Sequence, residues 1–579
     1  MHLIADHLDI WTAAPVTKAN GGRGRVSAAN RSPYGIKKLR ELILELAVRG
    51  MLVDQDPNDE PASVLLEKIE KEKNRLIKEG KIKKQKPLPK ISEEENPFEL
   101  PPGWKWARLG EVSDFVNGFA FKSSDFVETG IGIVKIGDIQ NGELTNGSMS
   151  RVKEDVVAGL DDFFKVIKGD LLIAMSGATT GKLGFNRTDE IFYINQRVGK
   201  ISPYCLDVEY LFYPLTTKIV ENLAKSMGSA IPNLSTVQIK NIVFALPPLA
   251  EQHRIVAKVD GLMALCDRLE QQQGDSSATH QTLVENLLAT LTTAADHQEF
   301  AEAWHRIAGH FDTLFTTEES IDQLKQSILQ LAVQGKLVPQ DPNDEPASVL
   351  LEKIAKEKAR LIKEGKIKKQ KPLPEISDAE KLFEVPEGWV WARLNDVYDV
   401  RDGTHDTPRY VPQGYPLVTS KNLSSGKLDL TEIKFISEKD HLQIKERSGV
   451  DKFDILFAMI GSIGNPVIVD IEDDFSIKNV AIFKYYVKQF SVPEYLCKFL
   501  SIASNNMKAE AAGGVQSFVS LGMLRKYPAP IPPLAEQHRI VAKIDELMAL
   551  CDQLKATLTQ SQQQSEKLID AMFQQLLVA

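Results

Sequence analysis

Three residue patterns in this 579-residue chain could do chemistry, and each lacks a part that its chemistry needs. Gly177-Ala-Thr-Thr-Gly181-Lys182-Leu183 follows an apolar run, where a phosphate-binding loop would place backbone amides around a phosphate. Its glycines stand one residue too close, and Leu183 occupies the place of the hydroxyl that would hold magnesium. The aligned stretch Gly461-Ser-Ile-Gly464-Asn465 carries no lysine at all. Methyl transfer to a base amino group would need an Asn or Asp, two prolines and an aromatic residue in a row. Pro-Pro occurs here only as LPPG, LPPL and IPPL, without the acid or amide and the aromatic flank. The 10 histidines show no HxxxH spacing, and Cys205, Cys266, Cys497 and Cys551 form no CxxC pair, so neither a metal set nor a disulfide framework is expected. No catalytic residue is assigned.

The elements that carry these residues are organised by a repeat. The block from Gly50 to Pro89, GMLVDQDPNDEPASVLLEKIEKEKNRLIKEGKIKKQKPLP, returns 285 residues later from Gly335 to Pro374 with four differences in forty. PPLAEQHRIVAKVDGLMALCD, from Pro247 to Asp267, returns at the same offset from Pro532 to Asp552. Between these frames, residues 107–246 and 392–531 have equal length but share only scattered Gly, Asp and apolar positions. KGDLLIAMSGATTGKLGF (168–185) and KFDILFAMIGSIGNPVIV (452–469) keep one pattern, an apolar run, a glycine turn and a second apolar run, with different polar residues on it. Uniform drift would blur frames and inserts alike, so the pattern points to one mounting that carries two parts with different targets.

Each closing block predicts a long helix that starts after Pro-Pro. Ile540, Ile544, Leu547, Cys551 and Leu554 alternate at spacings of four and three, as do Ile255, Val259, Leu262, Cys266 and Leu269, which predicts a coiled-coil seam. Cys266 and Cys551 then serve as seam hydrophobes. Shorter helices are expected over Ile36–Arg49 and Ile321–Gln334, with a further helix in each opening block capped near Ser63 and stopped at Gly80. KIKKQKPLP reads as a basic extended linker. The inserts predict small mixed domains, with strands at Ile131–Ile136, Leu171–Met175 and Ile455–Ile460 and helices near Glu209–Lys225 and Val492–Ala512.

A 43% hydrophobic content can build real cores. No run of 18 apolar residues and no basic leader followed by an apolar block are present, so a membrane span and a secretory signal are not expected. With few cysteines, a reducing cytoplasm is the expected compartment.

Two variable regions between repeated helical blocks resemble the specificity subunits of type I restriction-modification systems, over nearly the whole chain. The motifs that carry the likeness are PPLAEQHRIVAKxD twice, GWxWARL at 103–109 and 388–394, and Asp-Gly-Thr-His at 402–405. The long N-terminal extension and DPNDEPASxLLEKI are similar to the A, or IB, family. The resemblance implies an α+β fold: two mixed α/β target recognition domains in pseudo-two-fold arrangement, separated by long antiparallel coiled-coil helices. The boundaries read as an extension (1–35), a first repeated region (36–96), target recognition domain 1 (97–248), a first coiled-coil helix and connector (249–320), a second repeated region (321–381), target recognition domain 2 (382–533) and a second coiled-coil helix (534–579). It further implies that each domain reads half of an asymmetric bipartite site in double-stranded DNA. Two methyltransferase (modification) subunits and restriction (translocase/nuclease) subunits would be partners, holding the S-adenosylmethionine, ATP and magnesium that this chain does not bind. A self-contained methyltransferase or nuclease, or a coiled-coil scaffold without a DNA role, is the alternative.

Net charge is −9, which on its face disfavours DNA. The charge is uneven, however: Glu67–Lys90 holds ten Lys/Arg against four Glu, and the second copy is nearly as basic. Local phosphate neutralisation governs affinity, so these tracts could line a duplex or serve as solvated faces and partner contacts. Candidate readers lie in insert turns: Lys122, Ser123, Lys135, Asp138, Thr179, Thr180, Lys182, Asn195, Gln196, Arg197, Asn233 and Ser235 in the first insert. The second offers Thr404, His405, Thr407, Arg409, Lys421, Asn422, Ser462, Lys478, Asn479, Gln516 and Ser517. Arg, Lys, Asn and Gln can pair with base edges, while Ser and Thr more often position phosphates.

Overall fold

The computed structural model describes residues 11–12, 33–140, 142–147, 149–225, 233–461, 463–511 and 518–578. These fall into two compact units, one formed by Met1–Ser276 with Ser561–Ala579 and the other by Ser277–Gln560. Among the described residues no helix is long and apolar enough to cross a membrane.

In the first unit the opening helix Tyr34–Val48 buries Ile36, Leu39, Leu42, Ile43 and Leu46, one apolar stripe at helical spacing. The chain turns at Gly50, whose φ of 73° is left-handed and where a Cβ would sit 2.6 Å from Pro101 and 2.9 Å from Trp104. Only glycine meets both demands. The next helix, Ala62–Lys78, starts behind Pro61, so Ser63 lies inside its first turn and caps nothing, contrary to the expectation from sequence. The reason is tertiary: the orphan Ala62 N–H donates to Gly103 O at 2.8 Å, and Ala347 N donates to Gly388 O at 2.9 Å in the second unit. Gly80 ends the helix as expected, with Lys81 N donating back to Leu76 O.

Each insert is clamped shut at its base. Lys105–Arg108 pairs antiparallel with Val243–Leu246, and Val390–Arg393 with Pro528–Ile531. Above the clamp the first insert has a six-stranded and a five-stranded sheet, and the second has two four-stranded sheets. Both are organised around the same antiparallel neighbours: Leu171–Ala174 beside Val198–Pro203, and Ile455–Ala458 beside Val480–Tyr485. These strands are buried on both faces, which explains their continuous apolar runs. A helix follows in each, Val208–Lys225 and Pro493–Ala511.

The closing helices run Leu249–Thr293 and Leu534–Val578, each 45 residues, well beyond the seam positions read from the sequence. Their seam residues are buried: Ile255, Val259, Cys266, Ile540, Ile544 and Cys551 are at most 5% exposed, with Leu262, Leu269, Leu547 and Leu554 partly buried. Within the first unit the seam shares its core with the opening helix and with Ile569, Met572 and Phe573. The partner face is therefore a three-helix packing. Arg40 bridges Asp267 (2.6 Å) and Glu270 (3.0 Å), and Tyr34 donates to Asp570 (2.7 Å). The second unit repeats the scheme, with Lys555 bridging Asp322 at 3.0 Å. Burial pushes the Cys266 and Cys551 thiols up, as befits packing groups.

Candidate nucleic-acid interface

The inserts are positioned by one buried node, built twice. Trp104, from the first GWxWARL, donates its indole N–H to Glu251 Oε2 at 3.0 Å, and Gln55 donates to Glu251 Oε1 at 3.1 Å. In the second unit Trp389 reaches Glu536 at 2.9 Å and Gln340 reaches it at 3.1 Å. Beside each node an arginine of the closing helix clasps an aspartate of the opening block: Arg254–Asp59 at 2.7 Å and Arg539–Asp344 at 2.6 Å. Burial pushes the carboxyls of Glu251 and Glu536 above the usual range, opposed by the hydrogen bonds they accept. A second lock holds the linker. Buried Arg108 donates to Pro89 O (2.8 Å) and pairs with Glu95 (2.8 Å), as Arg393 does with Pro374 O (3.1 Å) and Glu380 (2.6 Å). Arg393 and the Ser377 amide hold the Glu380 carboxyl down to about 2. Thus the opening block, the insert's first strand and the closing helix meet at the residues that the repeat preserves.

The polar turns of the first insert come together through backbone bonds. Met175 N donates to Arg197 O (3.0 Å), Leu234 N to Met175 O (2.8 Å) and Phe119 N to Ile194 O (2.9 Å), while Ser176 bridges Asn233 and Phe119 bridges Asn195. Thr179 Oγ1 donates to Ile136 O at 2.8 Å, and Lys182 Nζ to Gln140 Oε1 at 2.7 Å. The segments around 119, 136, 179, 196 and 233 therefore form one surface. The Gly177–Lys182 turn leads into a strand, Leu183–Phe185, whereas a phosphate loop opens a helix. Several candidates hold the loops: Asp138 is buried and accepts from Lys135 N (2.7 Å), Lys135 Nζ donates to Ser150 (2.7 Å), Thr180 donates to Gly177 O (2.6 Å), and Ser235 caps helix Thr236–Lys240. Lys122, Ser123, Gln196, Arg197 and Asn233 are exposed, and Lys122 and Arg197 have no ion-pair partner among the described residues.

The second insert repeats the wiring with other side chains. Met459 N donates to Asn479 O (3.3 Å) and Val519 N to Met459 O (2.9 Å), as Met175 and Leu234 do in the first. Thr404 bridges Lys478, whose ammonium donates to Thr407. His405 sits with Nε2 2.9 Å from Asp402 Oδ2 and Nδ1 3.2 Å from Asn479 Oδ1, and Asp402 also pairs with Arg447. Buried Asn422 accepts from Thr419 N (2.9 Å) and shapes the turn that presents Lys421. Lys421 and Arg409 are exposed and have no ion-pair partner among the described residues. Arg447, from helix Glu438–Ser448, joins this cluster although it lies 45 residues from Asp402 and in no polar turn, so local pattern gave no signal for it. Ser462, Gln516 and Ser517 lie outside the described residues. Among the described residues there is no cluster of His, Cys, Asp and Glu suited to a metal ion. The arrangement offers amide, hydroxyl and cationic donors on mixed scaffolds, which suits recognition of base edges and phosphates.

Known proteins resemble this chain along most of its length. The family described as type I restriction modification DNA specificity domain matches residues 101–276 and again 386–561. The type I restriction enzyme EcoAI specificity subunit of Escherichia coli is 40% identical over 98% of both chains, and the EcoEI specificity subunit of the same organism is 38% identical over 98% of both. A solved chain from a study of assembly and conformational transition in the type I R-M system is 18% identical, with a TM-score of 0.46, covering 83% of this chain and 99% of that one.

Proposed function

Because the chain belongs to the type I restriction-modification DNA specificity family, we propose that it selects the DNA site for a modification and restriction complex and performs no chemistry itself. The insert within residues 107–246 reads one half of an asymmetric bipartite site, and the insert within 392–531 reads the other. The two closing helices pair antiparallel as a coiled coil, place the inserts in pseudo-two-fold arrangement and set the unread spacer. At about 1.5 Å per residue, 45 residues span roughly 68 Å, about two turns of B-DNA. The repeated frames bind two methyltransferase subunits, and restriction subunits complete a cytoplasmic complex. S-adenosylmethionine, ATP and magnesium reside on those partners.

The observation that supports this reading is the pairing of two frames alike to the individual hydrogen bond, Trp104–Glu251–Gln55 and Trp389–Glu536–Gln340, with loops wired alike but faced with different residues. A scaffold without a DNA role would need no such contrast. The test is titration of the chain, alone and with methyltransferase subunits, against random duplexes and duplexes carrying the methylated motif. Tight, motif-selective binding only with the subunits is expected. Equal affinity with and without them contradicts the proposal, as does methyl transfer by the purified chain alone.

A further inference from the structure

The linker tract KIKKQKPLP, which recognition of bases does not use, is ordered with a periodicity of its own. Residues 82, 85, 88 and 91 face inward, while 83, 84, 86, 87, 89 and 90 are exposed, and in the second copy 367, 373 and 376 face inward. A period of three without helical hydrogen bonds fits a polyproline-II-like strand with about 3.1 Å rise. The tract is held at several points: inward Gln85 donates to Asp114 Oδ1 (3.2 Å), exposed Gln370 accepts from Asn395 (2.6 Å), and Arg108 and Arg393 clasp the carbonyls of Pro89 and Pro374. The tract is therefore fixed to the insert's base.

Its charges are handled in a way that the second copy reproduces. On the preceding helix and just past it some cations are paired, Lys68–Glu60, Arg75–Glu72 and Lys81–Glu79, repeated as Lys353–Glu345, Arg360–Glu357 and Lys366–Glu364, while Lys71, Lys78, Lys356 and Lys363 are exposed with no ion-pair partner among the described residues. Beyond that point Lys83, Lys84 and Lys86, and likewise Lys368, Lys369 and Lys371, are exposed with no ion-pair partner among the described residues. Apart from two prolines, the outer faces carry no apolar side chain, since Ile82, Leu88 and Ile91 turn inward. A protein partner would want an apolar anchor there; a polyanion would not. Asp114, where Gln85 is anchored, is the second residue of the strand Ser113–Asn117 that leads to Phe119 on the polar surface, five residues or roughly 17 Å away.

We infer that these two lysine tracts are rails for the DNA backbone, contacting phosphates beside each recognised half-site without regard to sequence. The inference rests on the DNA-specificity reading and adds the phosphate contacts to it. Eight residues, Lys83 to Lys90, extend over about 22 Å, enough to follow some six phosphates of one strand at about 3.4 Å each along the axis. The identity of the two tracts beside unlike inserts follows, because phosphates are the same at every site.

The test uses the complex with methyltransferase subunits and a variant with Lys83, Lys84, Lys86, Lys368, Lys369 and Lys371 all changed to Gln. Binding to cognate and random duplexes is measured from low to high salt. The slope of log K against log salt should fall by about three to five, at roughly 0.9 for each phosphate that is no longer neutralised. Cognate and random DNA should weaken by the same factor, with the methylated motif and complex assembly unchanged. The matching Lys→Arg variant should restore the slope. A slope within one of the wild type overturns the inference. So does failure of the Gln variant to assemble, which would place the lysines against a protein partner. If wild-type complex showed no motif preference, the specificity reading would fail instead, while a reduced slope would still support the rails.

Discussion

Trp104→Phe isolates what the buried node contributes. The substitution deletes the donor to Glu251 Oε2, 3.0 Å away, from a side chain only 4% exposed, and leaves a carboxylate 1% exposed with Gln55 as its remaining node donor. Loss of a hydrogen bond to a charged group costs about 1.5–3 kcal/mol. The smaller ring leaves a void of about 40 Å³, worth roughly 1 kcal/mol if nothing collapses into it. The first unit should therefore lose about 2.5–4 kcal/mol. Glu251→Gln should cost less, because burial already disfavours the charged form and the amide still accepts one of the two donors. Hydrogen exchange reads this locally. Protection around residues 50–60, 104–110 and 249–256 should drop by roughly 60- to 700-fold, at about 1.4 kcal/mol per decade. The equivalent peptides of the second unit, around Trp389 and Glu536, serve as the internal control and should keep theirs. A loss below about 0.5 kcal/mol, or equal loss in both units, would refute the node as a local lock.

Other outcomes follow from the same geometry. His405→Ala should lower discrimination at one base step of one half-site by about 1–3 kcal/mol, read on duplexes with single base changes; uniform weakening on every sequence would mean a phosphate contact instead. Inserting one heptad after Gly274 and another after Thr559 should lengthen each closing helix by about 10.5 Å and the unread spacer by about three base pairs; an unchanged spacer in the methylated motif would show that the helices do not set it. The Glu380 carboxyl is held at about 2 against an ordinary 4.5, mainly by Arg393. Its contribution is fully present above pH 4.5 and is lost as pH falls toward 2, because the unfolded state binds the proton first. Glu380→Gln should flatten that part of the acid-unfolding curve, and an unaltered curve would show that the pair carries no linkage.

Much of this fold is legible in the sequence because the chain states it twice. The offset of 285 marks the frames, and Pro-Pro marks both helix starts. The helix start at Ala62 is not legible locally, because the carbonyl that satisfies Ala62 N comes from Gly103, forty-one residues away, which no local rule can see. The Trp104–Glu251–Gln55 node escapes a sequence reading for a related reason, since its members are 147 and 196 residues apart. A signal does exist, as all three lie inside blocks retained at the same offset. Among candidate readers, turn composition picks out polar loops. It cannot separate residues that hold the turn, such as Asp138 and Asn422, from those free to contact a ligand, such as Arg197 and Lys421. That distinction depends on burial and on hydrogen bonds between loops far apart in the chain.

The proposed function requires two like mountings to carry two independent readers. It is tested most directly by replacing residues 107–246 with the corresponding insert of another specificity subunit, both frames being kept, and mapping the methylated motif in genomic DNA. One half of the motif should change, with the other half and the spacer retained; a change in both halves, or in neither, would contradict the account.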